Sequence, residues 1–538
     1  MGIFGVRARG HDAPERRLVA SGPSVYCEDM EPVNATSRPA WAKVVDQTRC
    51  IGCHACTTAC KSENEVPLSV TRTYVKYVDT GVFPEVRRSF QVTRCNQCAE
   101  PPCVEACPTA AMFRRSDGIV DFDKSVCIGC KACIAACPYD AIFINPDDRS
   151  AEKCNFCAHR LDIGLEPACV VVCPTEALLV GDLNDPSSKV ARIANRDPVA
   201  VRRPEKETLP KLYYKGADQV TLDPLAAQRP GGGLFMWSEQ GDVDHGVPAG
   251  HPGPWNSSAA AVLSYDIPHR APWDFRVSLY TWTKSIAAGA YLVPLLLLLA
   301  GTIEPAGPIW TWAAPVLAGL FLALTGAVLV WDLEHPARFH LILRRPQWRS
   351  WLVRGGFIIG GYGAVLAAHF TAALAGASPP PWLGWPGGCL AVLTAVYTAF
   401  LFGQAKGRDM WQNPLLPVHF LVQAGVAGGG ATTLAALAFG APPAVTDAAL
   451  LVFAVSSAAH ALMIAAEVLM PPPTAHARLA EREMTHGRFS RWFALGVLGA
   501  LLGAAAPWLG WTVVPLGLVA LLAYEHAYVQ AGQSVPLS

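Results

Sequence analysis

The second half of the chain is a series of long apolar runs separated by short connectors. From about residue 285 onward, each run comes close to the roughly 20 residues that a helix needs to cross a bilayer. The region at residues 281–532 is therefore predicted to be an all-α transmembrane bundle. We predict eight transmembrane helices, at residues 286–303, 313–331, 356–375, 383–403, 415–439, 448–470, 492–508 and 512–529.

The first half is more polar, and its hydrophobic positions alternate over short stretches. The segment Thr71–Val78 alternates as a β-strand does, and shorter strand patterns occupy residues 118–123 and 141–144. Residues 181–280 are rich in Pro, Gly and Asp and are expected to be irregular. The fold class is multi-domain, with an N-terminal extension at 1–42, an α+β domain at 43–180, a closing segment and linker at 181–280, and the membrane bundle at 281–532.

Basic residues are unevenly distributed among the connectors of the predicted bundle. The connectors after spans two, four and six carry eleven Lys and Arg residues, whereas the alternate connectors carry none. The positive-inside rule places the basic side in the cytoplasm, and an even number of spans then puts both termini and the first domain there. Arg16 and Arg17 suggest an export signal, but the residues that follow are too few and too polar for one. We therefore expect an integral protein of a bacterial or archaeal cytoplasmic membrane.

The overall charge excludes one class of partner. The chain has 43 Lys and Arg and 43 Asp and Glu, so its formal net charge is zero. Proteins that bind nucleic acids usually carry a basic excess. No nucleic-acid partner is expected, and the lipid bilayer is the partner that the apolar runs predict.

Sixteen of the eighteen cysteines fall into four groups of four in the first domain. Each group opens with C-x2-C and closes with C-x3-C, and the last three groups are followed directly by Pro. This is the iron–sulfur run of ferredoxins, with longer middle spacings in groups two and four. Cys27 and Cys389 lie outside the groups and are expected to be plain thiols. The groups are Cys50, Cys53, Cys56, Cys60; Cys95, Cys98, Cys103, Cys107; Cys127, Cys130, Cys133, Cys137; and Cys154, Cys157, Cys169, Cys173.

Two other uses of clustered cysteines fit less well. Thiolates bind zinc as well as iron–sulfur clusters, but structural all-cysteine zinc sites are usually built from two C-x2-C pairs. Disulfides are rarely this dense in a chain with a large membrane part and no secretory signal. Sixteen thiolates are instead enough for four [4Fe–4S] clusters in a ferredoxin-like α+β domain, and these clusters are the predicted cofactors.

Which cysteines share a cluster is not fixed by the spacing, because adjacent groups or more distant groups could pair. Residues 43–180 closely resemble the four-cluster subunits of molybdenum oxidoreductases. That resemblance implies that group one pairs with group four, and group two with group three. The implied ligand sets are Cys50, Cys53, Cys56, Cys173; Cys154, Cys157, Cys169, Cys60; Cys95, Cys98, Cys103, Cys137; and Cys127, Cys130, Cys133, Cys107.

Specific motifs lie at the ends of the predicted spans. The run from Trp331 to Phe339 reads W-D-L-E-H-P-A-R-F, Ser350 begins S-W-L-V-R-G, and Trp411 begins W-Q-N-P-L-L-P. Together with the segment from Trp282 to Tyr291, they resemble the NrfD-like membrane anchors of the polysulfide reductase family. The resemblance covers residues 280–530. It implies a membrane domain without haem that exchanges electrons and protons with quinone on its iron–sulfur side.

Ionisable residues at the ends of the spans are candidates for a quinone and proton site. Such residues are costly in a membrane and by default mark function, and carboxylates and imidazoles can bind quinone carbonyls and carry protons. Interfacial snorkelling, or an ion pair between Asp332 and Arg338, is the alternative. The candidates are Asp332, Glu334, His335, His419, Glu467 and Lys284.

A haem-binding bundle is the main alternative for the second half. Ligation by two histidines needs a pair at the same depth, and only His419 and His526 lie near the same side. No haem is therefore expected. The histidines in predicted spans are His369, His419, His460 and His526.

These patterns predict an electron-transfer and membrane-anchor subunit of a respiratory oxidoreductase. The chain lacks G-x-S-x-G, a P-loop and H-E-x-x-H, so the chemistry on the primary substrate is expected on another chain. The resemblance implies a molybdopterin-containing catalytic partner, with the quinone site in this chain. The alternatives are the anchor of a nickel–iron hydrogenase and a redox-linked proton-translocating module.

Overall fold

The structure is a computed structural model that describes residues 38–82, 84–228, 261–377 and 381–538. Three expectations lie outside the described residues, namely those for Arg16 and Arg17, for Cys27 and for the glycine-rich linker near residue 231. Within the described residues, the α+β region followed by a helical bundle is confirmed.

The described part of the first region holds eleven short strands. Strands β1, β8, β9 and β10 form a four-stranded sheet in the order β8-β1-β10-β9, in which β1 and β10 are parallel. Strands β11, β2 and β3 form an antiparallel sheet, and β4-β5 and β6-β7 are separate two-stranded pairs. The strands are β1 Trp41–Asp46, β2 Thr73–Val82, β3 Glu85–Arg94, β4 Met112–Arg114, β5 Val120–Phe122, β6 Ile142–Ile144, β7 Ala151–Lys153, β8 Leu178–Asp182, β9 Val199–Ala200, β10 Leu212–Lys215 and β11 Val262–Tyr265.

Two short helices of this region, Pro102–Ala106 and Ala132–Ala136, end at the cysteine that closes a group. Cys107 and Cys137 already have extended backbone conformations at the ends of their helices. A tight loop followed by one or two helical turns is thus repeated along the domain. The helices are α1 Ala55–Glu63, α2 Pro102–Ala106, α3 Ala132–Ala136, α4 Ala158–Leu161, α5 Ala168–Val171, α6 Lys189–Arg196 and α7 Gln219–Leu222.

The described part of residues 181–280 is more regular than its composition suggested. Strand β10 pairs with β1, and β11 pairs with β2, so this segment completes both larger sheets. Strand β10 alternates buried and half-buried residues, and Leu212 and Tyr214 face the core. The expectation of an irregular segment was wrong there, because Pro and Gly mark the turns between elements that are themselves short.

The second region is the helical bundle. Among the described residues, seven helical segments are long and apolar enough to cross a membrane. The seventh predicted span is the exception, because its helix ends at Ala504 after 15 residues and a separate turn follows. The helices are α8 Phe275–Leu299, α9 Ala314–Trp331, α10 Leu341–Arg344, α11 Trp351–Leu374, α12 Gly384–Gln404, α13 Leu416–Ala438, α14 Pro443–Leu469, α15 Ala475–Thr485, α16 Ser490–Ala504, α17 Ala506–Leu509 and α18 Val514–Gln533.

The first membrane helix begins eleven residues before the predicted span. Its first turns contain Ser278, Thr281 and Lys284, which are polar but completely buried among the other helices. A helix surrounded by protein can bury such residues, whereas the hydropathy pattern assumes that lipid surrounds it. Lys284 therefore lies inside the first span, and its predicted position before that span was wrong.

One hydrophobic core joins the two regions. Small residues beside the cysteine loops, among them Ala106 and Ala135, pack in the same cluster as Trp273, Phe402 and Trp411 of the bundle. Arg338 binds the carbonyls of Lys124 and Cys127, and Ser350 binds the carbonyl of Ala106. The basic connectors therefore lie on the face of the bundle that contacts the cysteine-rich domain. The cluster domain is seated against one end of the helices.

Candidate functional site: four cysteine sets and the adjoining bundle

The first and third cysteine groups share the loop sequence C-I-G-C-x-A-C and the same backbone conformation. Gly129 and Lys131 both have positive φ angles, as do their counterparts Gly52 and His54. A β-carbon on Gly129 would lie 2.4 Å from Cβ of Glu334, so glycine is also needed for the close approach of the bundle. The loop is thereby wrapped tightly around its cysteines and pressed against the connector after α9.

Three sets of four cysteines each line a cavity. One cavity is surrounded by Cys107, Cys127, Cys130 and Cys133. Two other small cavities complete the series. Apolar side chains and prolines form most of the remaining walls, which suits a compact group held by thiolates. The second and third cavities are lined by Cys50, Cys53, Cys56, Cys173 and by Cys95, Cys98, Cys103, Cys137.

The remaining four cysteines also come together. Cys60, at the end of α1, lies beside Cys154, Cys157 and Cys169. Asn64 Nδ2 is 3.7 Å from Sγ of both Cys60 and Cys157, so the two ends of the domain meet there. These four sets are the ones that the resemblance implied, and the ligation itself stays a prediction.

The arrangement of the thiols suits a polynuclear group better than a single ion. Among the described residues, no three His, Cys, Asp or Glu side chains converge on a point where one metal ion could be held. A tetrahedral zinc site would need such convergence. Thiols spread around a cavity instead fit the corners of an iron–sulfur cluster.

The set of Cys107, Cys127, Cys130 and Cys133 adjoins the bundle. Trp273 Nε1 donates to the carbonyl of Cys130 at 3.1 Å. Lys131 Nζ lies 3.2 Å from the carbonyl of Asp332, 3.5 Å from its Oδ1, and 3.1 Å from Oε1 of Glu334. Lys131 directly follows Cys130 in the sequence, so both carboxylates, of Asp332 and of Glu334, lie close to this set.

The carboxyl group of Asp332 has a raised pKa. Burial at the end of α9 raises its pKa to about 6, although Lys131 and Arg276 act in the opposite direction. Arg276 Nε is 3.4 Å from Asp332 Oδ1, whereas Arg338 binds backbone carbonyls of the cluster domain instead. The alternative ion pair of Asp332 with Arg338 was therefore wrong.

His335 occupies a different position from Asp332 and Glu334. Its Nε2 lies 3.3 Å from Ser150 Oγ, and its backbone N–H donates to the carbonyl of Ile128 at 3.2 Å. Burial, with Arg338 nearby, lowers its pKa. The side chain contacts the cluster domain, so it holds the two regions together.

A second group of polar side chains lies inside the bundle. His419 Nδ1 is 3.1 Å from Oε1 of Glu467, and its Nε2 is 2.8 Å from Nδ1 of His460. Tyr524 donates to Oε2 of Glu467 at 3.0 Å. Sequence reasoning placed only His419 and His526 near the same side, and the contact of His419 with His460 shows that this was wrong. The spacing of seven residues between His460 and Glu467 puts both on one face of α14, and this signal was available.

Lys284 has a buried acidic neighbour that sequence reasoning missed. Its Nζ donates to the carbonyl of Ala395 at 2.7 Å and lies 4.1 Å from the centre of the Phe420 ring. Glu525 of α18 interacts with it electrostatically and is 1% exposed. An ionisable residue within the last apolar run was the signal that could have found Glu525.

Stacked aromatic rings fill the space between the cluster domain and this interior. Trp273 and Trp411 stack with centroids 5.5 Å apart and an interplanar angle of 24°. Phe402 and Trp411 stack at 4.6 Å and 16°. Phe402 in turn lies 6.2 Å from Phe420, which covers Lys284. A continuous series of rings therefore runs from the carbonyl of Cys130 to the buried lysine.

Three family models match the chain. They are the 4Fe-4S dicluster domain over residues 86–183, the 4Fe-4S binding domain over residues 47–70, and polysulphide reductase, NrfD, over residues 265–516. The first two together include all sixteen grouped cysteines, and the third covers most of the bundle.

Three similar proteins each match about a third of this chain. A tetrathionate reductase subunit of Salmonella typhimurium is 44% identical over 192 residues, which are 35% of this chain and 77% of that protein. A polysulfide reductase chain of Wolinella succinogenes is 44% identical over 176 residues, which are 32% of this chain and 92% of that protein. A putative dimethyl sulfoxide reductase iron-sulfur subunit of Halobacterium salinarum is 40% identical over 216 residues, or 35% and 82% of the two chains. In the present sequence, such a subunit is followed by an NrfD-type domain.

Proposed function

Because this protein belongs to the family of these ferredoxin-type iron–sulfur subunits, joined in one polypeptide to an NrfD-type membrane anchor, we propose that it transfers electrons between a molybdopterin-type catalytic subunit and membrane quinone. The observation that carries this proposal is the position of the set Cys107, Cys127, Cys130 and Cys133. Its loop is in direct contact with the bundle through Trp273 and Lys131.

The sixteen grouped cysteines would hold four [4Fe–4S] clusters in the four sets described above. Clusters of this kind accept and release one electron at a time when bound. The chain contributes the thiolates, backbone N–H groups that point at sulfur, as Met112 N does at Cys107 Sγ, and apolar walls that exclude water. No haem is part of the proposal.

The catalytic partner would dock at the set of Cys50, Cys53, Cys56 and Cys173. Cys53 is exposed there, whereas most other grouped cysteines are buried. Ile51, Val171 and Val172 expose 56%, 58% and 40% of their surface nearby in the sequence. Exposed apolar residues around an exposed thiol suit a protein partner that receives or supplies electrons.

The quinone site would lie where the cluster domain meets the bundle. Asp332 and Glu334 can accept or donate a proton, and Lys131 can hydrogen-bond to a quinone carbonyl. His419 and Glu467, joined to His460 and Tyr524, would pass protons deeper in the bundle, while His335 would keep the connector in place. The basic connectors support an orientation with this side, both termini and the clusters in the cytoplasm of a bacterium or archaeon.

Purification of the complex in mild detergent tests the proposal. We expect a large subunit that contains molybdenum or tungsten to accompany the chain, with about sixteen iron atoms per chain for four cubanes. A partner that contains nickel would replace this assignment by a hydrogenase anchor. A chain with full iron content and no partner would contradict the proposed role between two redox partners.

Redox-linked proton translocation is the second candidate function, and the buried pair of Lys284 and Glu525 favours it. Charged groups inside a span are costly and usually mark a proton or ion path. Glu525 and Tyr280 are both buried, and Tyr280 lies within electrostatic reach of both Glu525 and Asp332. These groups suit a hydrated route from the cluster side into the bundle.

The purified complex in sealed vesicles distinguishes the two functions. If Glu525 carries translocated protons, Glu525→Gln lowers the number of protons moved per quinone turned over at least tenfold. Glu304→Gln is the control, because Glu304 is exposed in the connector between the first two spans. Equal proton-to-quinone ratios in wild type and Glu525→Gln would remove this second function.

A further inference from the structure

Arg94 is a buried cation that lies between two cysteine sets. It ends β3 and is 1% exposed. Its Nη1 donates to Sγ of Cys169 at 3.0 Å, and Cys56 and Cys154 are further sulfur neighbours. Within the described ranges, its Nε and Nη2 have no hydrogen-bond partner, and no carboxylate forms an ion pair with it.

Lys43 is a second such cation beside the same set. It lies in β1, is 4% exposed, and its Nζ has no hydrogen-bond partner in the part of the chain that the structure describes. The Nζ is 4.1 Å from the centre of the ring of Phe156, which separates Cys154 from Cys157 in the sequence. Lys153, also buried, donates to the carbonyl of Cys154 at 3.2 Å. Three buried cationic side chains therefore surround the set of Cys60, Cys154, Cys157 and Cys169.

Cations are rarely buried without an anion, because the loss of hydration is not compensated. Protein carboxylates do not compensate Arg94 or Lys43 within the described ranges. Thiolates that hold an iron–sulfur cluster would do so, since they carry negative charge into the same space. The unpaired donors thus point to an anion at the centre of this set, and they favour the state of that anion with the larger negative charge.

The set next to the bundle has the opposite surroundings. Lys131, which follows Cys130 in the sequence, is already paired with Asp332 and Glu334. Arg338, the other cation in contact with this set, donates to the backbone carbonyls of Lys124 and Cys127. The carboxylate of Asp332 is in addition a negative neighbour of Cys130. An added electron is therefore disfavoured at this set relative to the set beside Arg94 and Lys43.

We propose that Arg94 and Lys43 raise the reduction potential of the cluster held by Cys60, Cys154, Cys157 and Cys169 above that of the cluster next to the bundle. The inference rests on the proposed function, because it requires the four clusters assigned there. On reduction, this cluster takes up one electron from the donor, no bond is broken, and the two cations stabilise the added charge. Hydrogen bonds and charge near the sulfurs are known determinants of such potentials.

The test is a redox titration of the purified full-length chain in detergent, followed by electron paramagnetic resonance. In Arg94→Gln and in Lys43→Met, we expect the same one of the four midpoint potentials to fall. The expected change in the reduction equilibrium is at least tenfold, which equals about 59 mV for a one-electron couple. Arg94→Lys, which keeps the charge, should retain most of the potential. Arg88→Gln is the control, since Arg88 is an exposed arginine of the same strand.

The outcomes separate this inference from the proposed function. Unchanged potentials in both variants, or the lack of any couple that shifts in both, would overturn the role of Arg94 and Lys43. Fewer than four cluster signals in the wild type would instead contradict the proposed cluster assignment. If Arg94→Gln loses iron, Lys43→Met decides the matter, because it leaves the hydrogen bond from Arg94 to Cys169 in place.

Discussion

At the scale of single residues, His269 illustrates how a buried charge can hold the cluster domain together. It lies in the segment before α8 and is 7% exposed. Its Nδ1 binds Asp140, and its Nε2 is 3.1 Å from Oδ2 of Asp266. Burial alone would lower the pKa of the imidazole, but the two carboxylates outweigh it and raise the pKa to about 9. Arg408 and Tyr74 are the other titratable groups near these carboxylates.

This raised pKa predicts a loss of stability in alkaline solution. The folded-state pKa of His269 exceeds its unfolded value, so the stabilisation is complete below about pH 6.5 and is lost as the pH rises through about 9. The shift corresponds to about 3 kcal/mol. We expect the thermal midpoint of the wild type to fall more between pH 6.5 and pH 9.5 than that of His269→Gln. If the thermal midpoints of the two proteins fell equally with pH, this would contradict a charged His269 in the folded protein.

At the scale of elements, the bundle depends on the close approach of α8 and α13. A β-carbon on Gly428 would lie 2.3 Å from the carbonyl oxygen of Gly289, and one on Gly289 would lie 2.0 Å from that of Ala424. Small residues at such crossings allow helices in a membrane to pack backbone against backbone. Because α8 also carries Lys284, the crossing fixes the depth of that residue relative to its neighbours.

Substitution at the crossing should therefore separate the two helices. In Gly428→Ala we expect a lower thermal midpoint in detergent, corresponding to about 2 kcal/mol of overpacking. Gly360→Ala is the matched control, because no atom lies within 4 Å of the β-carbon position of Gly360 in α11. Circular dichroism at increasing temperature measures the thermal midpoints of both variants. If Gly360→Ala lost as much stability as Gly428→Ala, the loss would not come from overpacking at the crossing of α8 and α13.

At the scale of the whole molecule, buried ion pairs attach the cluster domain to the bundle. Asp409, in the connector after α12, is 3.2 Å from Nη2 of Arg203 and also binds Lys206 and Thr474. Its side chain is 4% exposed. Removal of one partner from such a group leaves the others buried and uncompensated, which costs about 3 kcal/mol or more.

Asp409→Asn is accordingly expected to loosen the cluster domain from the helices. Hydrogen exchange should increase at residues 203–206 and in the connector, while the interior of the bundle stays protected. Glu205→Gln serves as the control, since Glu205 pairs with the same Arg203 but its side chain is 55% exposed. Equal exchange in both variants would show that Asp409 does not carry the attachment.

The sequence predicted the chemical parts of the molecule better than their arrangement. The cysteine groups and most of the apolar runs were visible because their spacing and composition are local. The pairing of His419 with His460, and of Lys284 with Glu525, depends on how α8, α13, α14 and α18 pack, and no local pattern contains that information. Likewise, β10 could not be recognised as a partner of β1, because the two strands are about 170 residues apart in the sequence.

The central claim is that electrons pass between the clusters and quinone through this chain, and reoxidation of the reduced clusters by quinone tests it most directly. The purified chain is reduced chemically, mixed with a soluble quinone, and frozen at intervals for electron paramagnetic resonance. We predict rapid loss of the reduced signals in the wild type and in Glu304→Gln, and at least tenfold slower loss in Asp332→Asn. Clusters that quinone does not reoxidise, or that it reoxidises equally fast in Asp332→Asn, would contradict the proposed quinone site.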